Sequence, residues 1–459
     1  MIRRRKQLPP RHRERGVTMI LVVLAMLSML GIIAIAIDLI TLYSARSETQ
    51  RAADSAALVA AKMLIDAGVT GDPTNAALQT AAQTIATKAA KDVAKQGAIA
   101  GRQIQTADVS VNYPNSGAPS FGINPRVSVT VQDTNLPTFF SRIWSRAALT
   151  VRATATAEGF NPSNATTITG GATAPVIARC VKPFIVPNCD PQHGGGTGCG
   201  GTAATFFDTA TGQITNPGAA PAGIIGAGFD LVSNCGSGPG CGAGVIGAPN
   251  AGPGPGGPAL YYYPAQMPPA TGACPSCTGG TTFEQEIECC NPTPISCGTT
   301  VTLPAVNQLS VDTTVYPDGG GGPAQSGVEC LIHQRPGNGM DSLNAGPPLT
   351  YPLQISVGNN HPLAGTVLSA NDLVSTSDSL VTVPVYDQTV GPPPNAAPTG
   401  AVNIVGFLQV FIDQAFPGGG GPKAGEFHVT VVNVLGCGSS ASGAPVSSSA
   451  SAVPVRLIQ

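Results

Sequence analysis

Charge is the scarcest ingredient of this chain: only 10% of its residues are Asp, Glu, Lys or Arg, against about 25% in ordinary soluble domains. That argues against a cytosolic enzyme with a conventional charged surface. No domain is basic enough to neutralise a phosphate backbone, which excludes a nucleic-acid binder. Aromatics are few, with a single Trp, Trp144. Cysteine is absent before Cys180. Catalytic signatures are absent too: no H-E-x-x-H, G-x-S-x-G, Walker loop or dinucleotide fingerprint occurs. The many G-x-G matches follow from composition, with 57 Gly and 42 Pro in 459 residues.

What charge there is lies unevenly. Residues 1–160 carry 18 Lys/Arg and 10 Asp/Glu, a net of +8, and residues 161–459 carry 5 and 15, a net of −10. Seven cations fall within residues 3–15, forming a basic tip over residues 1–16. Val17–Ile37 follows without a charge. At about 1.5 Å per helical residue, this run covers the roughly 30 Å hydrocarbon layer of a membrane. Asp38 follows, so the positive-inside rule places residues 1–16 in the cytoplasm and exports the rest. Tyr43 and Arg46 stand where interfacial anchors are useful, or are ordinary residues of a continuing helix. A cleaved signal peptide is the rival reading. Ala34-Ile35-Ala36 has the A-x-A form, but it lies inside an apolar run longer than a usual h-region.

Helical spacing continues from Leu39 to Ile65, with alanines at three- and four-residue intervals. This small-residue stripe lets another helix approach closely, or covers the chain's own strands. Residues 38–100 read as an Ala-rich helical stalk. Its second helix spans Asn75–Gln96, with Thr74 as N-cap. Residues 101–160 read as the β-rich part of a small α+β module. Alternation marks Asp108–Tyr113, Arg126–Gln132 and Leu149–Ala157 as strands, with Val127, Val129 and Val131 on one face. LPTFFSRIWSR between them reads as a helical turn. Residues 161–345 form a Gly/Pro/Cys-rich loop and β region, and residues 346–437 a β-rich region whose clearest strands lie in 401–435. Residues 438–459 are a Ser/Ala/Gly-rich tail with a final strand at Val453–Ile458. The expected class is α+β, with one transmembrane helix ahead of a mainly-β exported body.

Twelve cysteines, Cys180, Cys189, Cys199, Cys235, Cys241, Cys274, Cys277, Cys289, Cys290, Cys297, Cys330 and Cys437, all fall on the exported side. Their even number suits disulfides in an oxidising compartment, and their pairing is open. Cys274-Pro-Ser-Cys277 has redox-dithiol spacing but lacks the βαβ context. With Cys289 and Cys290 it offers four thiols, yet not the paired knuckles of a structural zinc site. The five His form no close pair, so no catalytic or metal residue is assigned and no enzyme is expected. Glu284, Glu286 and Glu288 alternate, which in a strand places them on one solvated face.

Arg15-Gly16-Val17 resembles a type IV prepilin junction cut between Gly16 and Val17, although Leu21 stands where such precursors carry Glu. Taken in register, RERGVTMIL (with Arg15 and Gly16), the apolar span, Asp38, Tyr43 and QRAADSAALVAA (with Gln50, Ala53, Asp54, Ala56 and Ala57) resemble the N-terminal segment of TadE/TadG-like proteins of the Flp, or tight adherence, pilus-assembly system. LPTFFSRI, VRATATAEG and ARCVKPFIVPNC resemble further family segments, and FEQEIECCNP and VNIVGFLQVFI do so more weakly. The resemblance implies a bacterial inner-membrane protein with a periplasmic or extracellular body, acting in pilus assembly or surface adhesion. Its implied partners are the membrane and other pilus-assembly proteins, with oligomerisation through the stalk helix. The D-x-S-x-S motif of members with a von Willebrand factor A domain is missing, so no metal site carries over. The alternatives are a pseudopilin-like subunit cut after Gly16 and a secreted, disulfide-rich metal- or redox-binding protein.

Overall fold

The computed structural model describes residues 14–136, 140, 149–164, 175–193, 204–233, 251–254, 257–267, 282–298, 307–312, 323–337, 339–344, 352–388, 399–416, 426–438, 446–447 and 453–458. The basic tip ahead of Glu14, Trp144 with most of LPTFFSRIWSR, most of the glycine-rich loops, and Cys199, Cys235, Cys241, Cys274 and Cys277 lie outside them. The chain is mixed α+β. It divides into two compact units: Met1–Ser55, Lys91–Ser110 and Val129–Ala155 in one, Ala56–Ala90, Val111–Ser128 and Thr156–Gln459 in the other.

Helix α1 runs unbroken over Glu14–Asp66. No Pro interrupts it, and its hydroxyls serve the helix rather than compete with it: Thr41 and Thr49 donate to the carbonyls of Ile37 and Ala45 at 3.0 and 2.6 Å. The helix stops at Gly68, whose φ of +88° is the left-handed conformation that a glycine C-cap supplies. The amides of Gly68 and Val69 turn back to the carbonyls of Ile65 and Leu64.

Helix α2 is Ala76–Ala94. Its cap is Asn75 rather than Thr74: the Asn75 side-chain oxygen accepts the Leu78 amide at 3.0 Å, satisfying a donor that the first turn leaves open. Ala82, Ala86, Ala90 and Ala94, one turn apart, are each fully buried. Strands β1 (Val109–Asn112), β2 (Arg126–Leu136) and β3 (Leu149–Gly159) follow. Val127, Val129 and Val131 of β2 are fully buried between partly exposed neighbours, as their alternation requires.

Leaving aside short strands at Ala98–Ile99, Arg102–Gln103, Ala251–Gly254, Ser342–Leu343, Ile355–Ser356 and Leu373–Val374, the later strands are β4 (Val176–Ala178), β5 (Phe184–Pro187), β6 (Gly228–Ser233), β7 (Gly257–Pro264), β8 (Ile295–Cys297), β9 (Gln308–Asp312), β10 (Leu380–Tyr386), β11 (Thr399–Ala415), β12 (Phe427–Gly436), β13 (Val446–Ser447) and β14 (Val455–Leu457). Six of them pair in the order β11-β10-β5-β7-β6-β12, and β12 pairs again with β11. The sheet therefore closes on itself as a barrel, with β9 on one end of β11. Closure removes the free edges that a sheet this apolar would otherwise present.

Strands β5 and β7 are buried on both faces, which is why FIVP and ALYYY read as continuous apolar runs. Phe184 and Tyr262 join one core, with ring centroids 4.9 Å apart, and Ile185 and Tyr263 join a second. The second core includes residues of β4 and β8. Helices α3 (Thr282–Glu288) and α4 (Pro323–Leu331) cover the first core through Phe283, Ile287 and Val328. They meet at Gly327, where a Cβ would sit 3.1 Å from that of Ile287. Residues 284–288 are thus helical, not a strand. At about 100° per residue Glu286 turns away from Glu284 and Glu288, which stay neighbours one turn apart, and Glu286 and Glu288 are buried rather than solvated. Finally, β14 pairs antiparallel with β3, setting Arg456 opposite Glu158 in the sheet order β14-β3-β2-β1.

Candidate functional site

The first third of α1 is apolar and exposed: Met19, Leu24, Leu27, Leu30 and Ile32 are each more than half accessible. By length and composition, α1 is the one helix among the described residues able to cross a membrane. Gly16 and Val17 lie within this helix. At its far end the surface inverts. Ala45, Ala53, Ala56, Ala57, Ala60 and Ala61 are completely buried, with Thr49 among them. The alanine stripe is therefore covered by the chain's own fold. Ala52 faces Gly97, and Ile65 faces Gly159, where a Cβ would strike it.

The polar residues of the same stretch divide by role. The Asp38 carboxylate accepts the Phe140 amide at 3.1 Å, joining the end of the apolar run to the LPTFFSRI segment. Glu48 accepts the Ala100 amide at 2.7 Å. Gln50 donates to Asp54 one turn on, at 2.7 Å, on the outer face. Tyr43 projects outward, 66% exposed. Residues 16–63 match the family model described as "Putative Flp pilus-assembly TadE/G-like". This stretch is similar to TadE/G-like segments. No curated protein and no solved structure matches the chain. In the TadE/G-like segment, then, Ala53, Ala56 and Ala57 serve internal packing, Asp38 holds the Phe140 amide, and Tyr43, Gln50 and Asp54 are left on the surface.

Two disulfides cross-link the cysteine-bearing part of the chain: Cys180–Cys290 and Cys297–Cys437. Cys189, Cys289 and Cys330 are disulfide-bonded as well, and no described cysteine is free. Among the described residues no group of three or more His, Cys, Asp or Glu is arranged to hold a metal.

The Cys180–Cys290 bridge lines a cavity of about 600 Å³ that sequence reasoning missed. Lys182 lies at its wall, only 5% exposed, with its amide donating to the Thr382 carbonyl of β10. Its Nζ donates to the Ile287 and Cys289 carbonyls at 2.5 and 3.1 Å, holding the end of α3. Burial pushes the Lys182 ammonium down to about 8, against the pull of Asp378 and Glu288. Burial, reinforced by Glu284, pushes the Glu288 carboxyl up to about 7. Nothing in Arg-Cys-Val-Lys announced such a lysine; only the tertiary fold dries it.

Nearby polar groups are already engaged. Asp378 meets His333 at 2.9 Å, and that hydrogen bond holds its carboxyl below the usual range. Ser377 donates its hydroxyl to Asp341 at 2.6 Å, not to an imidazole, so no Ser–His nucleophile is assembled. The Leu363 amide donates to His361 Nδ1 at 3.1 Å. The His361 proton therefore sits on Nε2, 3.8 Å from Asp341.

Proposed function

We propose that this protein is a single-pass, non-catalytic accessory or scaffold of Flp-type pilus assembly, anchored in the bacterial inner membrane. The observation that carries the reading is the TadE/G-like segment at residues 16–63, coincident with the exposed apolar part of α1. The seven cations of the basic tip support a cytoplasmic N-terminus and an exported body. Disulfides in that body fit an oxidising compartment. Reporter fusions after Ala67 and after Cys437 test it. Alkaline phosphatase is expected to be active, and a cytoplasm-dependent fluorescent reporter dark, at both positions. A cytoplasmic signal at either position overturns the reading. N-terminal sequencing that begins at Val17 favours a processed, pseudopilin-like subunit instead.

A further inference from the structure

The Lys182 cavity holds a charge that the scaffold reading leaves unused. Two other charged groups at its wall are already paired: Lys62 with Asp66 at 2.7 Å and Asp378 with His333 at 2.9 Å. Lys182 is different. Its two hydrogen bonds go to carbonyls, which accept protons but carry no compensating charge. An ammonium has three N–H donors, so one remains. Asp378 and Glu288 act on this charge from farther away, without a hydrogen bond to it. A buried ammonium so weakly paired is costly, and an anion that enters the cavity and bonds it directly lowers that cost. Glu288 lines the same cavity, and because burial favours its neutral form, its carboxyl in that form donates an O–H to such an anion.

The rest of the wall sets the body of the ligand. Leu331, Leu363, Leu380, Val381 and Val455 line the space, and its volume of about 600 Å³ falls within the roughly 300–1,000 Å³ of small-molecule sites. Among the described residues at the wall, Lys182 is a cation without a hydrogen-bonded carboxylate, which suits a ligand of one negative charge. A phosphate or sulfate dianion would be desolvated with half its charge unmet. We propose that this cavity binds a small monocarboxylate on an apolar body, with the Lys182 ammonium as its counter-ion. A short fatty acid and the free C-terminus of an apolar peptide both offer that chemistry.

The test uses the full chain in lipid nanodiscs and isothermal titration calorimetry. The probes are hexanoate and hexanamide, then N-acetyl-Leu-Leu as the free acid and as its C-terminal amide. At least one acid is expected to bind about tenfold or more tightly than its amide, a gap of about 1.4 kcal/mol. Hexanoate alone assigns a lipid-derived acid, and the dipeptide acid alone assigns a chain terminus. Lys182→Met is expected to abolish binding. Because Lys182 also holds α3, Leu363→Asp is the second variant: Leu363 is 45% exposed, so the fold tolerates the change while a carboxylate at the wall repels the ligand. It is expected to weaken binding at least tenfold. No acid binding at millimolar concentration, amides that bind as tightly, or an unaffected Leu363→Asp protein overturns the proposal.

Discussion

Arg456 grips Glu158 across 298 positions of sequence, its Nε and Nη2 donating to Oε1 at 2.8 and 2.7 Å. The second oxygen of this buried carboxylate accepts from Asn124 and Arg126 at 3.1 and 3.3 Å. Burial alone raises a carboxyl; here Arg456, Asn124 and Arg126 outweigh it, and Glu158 is held below its usual value. Arg456→Ala is expected to cost about 1–3 kcal/mol in urea denaturation at neutral pH. A depressed carboxyl stabilises above its unfolded range and loses that contribution on acidification. The gap between variant and wild type therefore narrows as pH falls below the ordinary glutamate range.

The two assigned disulfides differ in access. Cys290 is exposed and Cys180 half-buried, whereas Cys297 and Cys437 are fully buried in the second core. Under graded reductant with alkylation and mass spectrometry, Cys180–Cys290 is expected to open first. Replacing Cys297 and Cys437 by Ser is expected to cost about 2–4 kcal/mol.

The Glu288 carboxyl, at about 7 in the fold, binds a proton more tightly there than in the unfolded chain. The folded state then holds more protons between pH 4.5 and 7, and stability falls as pH rises through that window. Lys182 acts in the other direction. With its ammonium at about 8, the unfolded chain holds more protons between about 8 and 10.5, and stability recovers on going alkaline. Glu288→Gln is expected to flatten the acid arm of a thermal-melting profile and leave the alkaline arm in place.

Because the stripe on α1 faces inward, enlarging it acts on the fold. Ala53→Leu is expected to destabilise by about 1–3 kcal/mol, since the site is fully buried, while Gln50→Ala on the outer face changes stability by less than about 0.5 kcal/mol. Thermal melting of the two variants checks this.

Much of this architecture is readable in advance. The uncharged run Val17–Ile37 and the alternating valines of β2 are local patterns, and a local pattern survives into the fold when one face must be buried. Val455–Leu457 is recognisable as a strand, but its pairing with β3 is not, because register across hundreds of residues has no local signature. Glu284, Glu286 and Glu288 mislead for a related reason: a seven-residue helix carries too few turns to outvote an alternating triplet, and Phe283 and Ile287 packing on the barrel decide it. Cysteine pairing and the dryness of Lys182 are properties of the assembled chain alone. The TadE/G-like stretch is recognisable from its in-register motif, while the roles inside it, Asp38 holding Phe140 and Gln50 holding Asp54, are set by the folded geometry.

The order in which the barrel strands meet sets a clock. Strand β5 begins at Phe184, and the ring closes only when β12, ending at Gly436, pairs with both β6 and β11. Synthesis at about 5–20 residues per second puts roughly 10–50 s between those points. Through that interval β5, joined later by β7, waits without the strands that complete the barrel. Long-range pairing of this kind is slow even once all partners are present. The protein is thus most vulnerable not when finished but during its own delivery, and its yield should depend on how quickly the last quarter of the chain follows the first half.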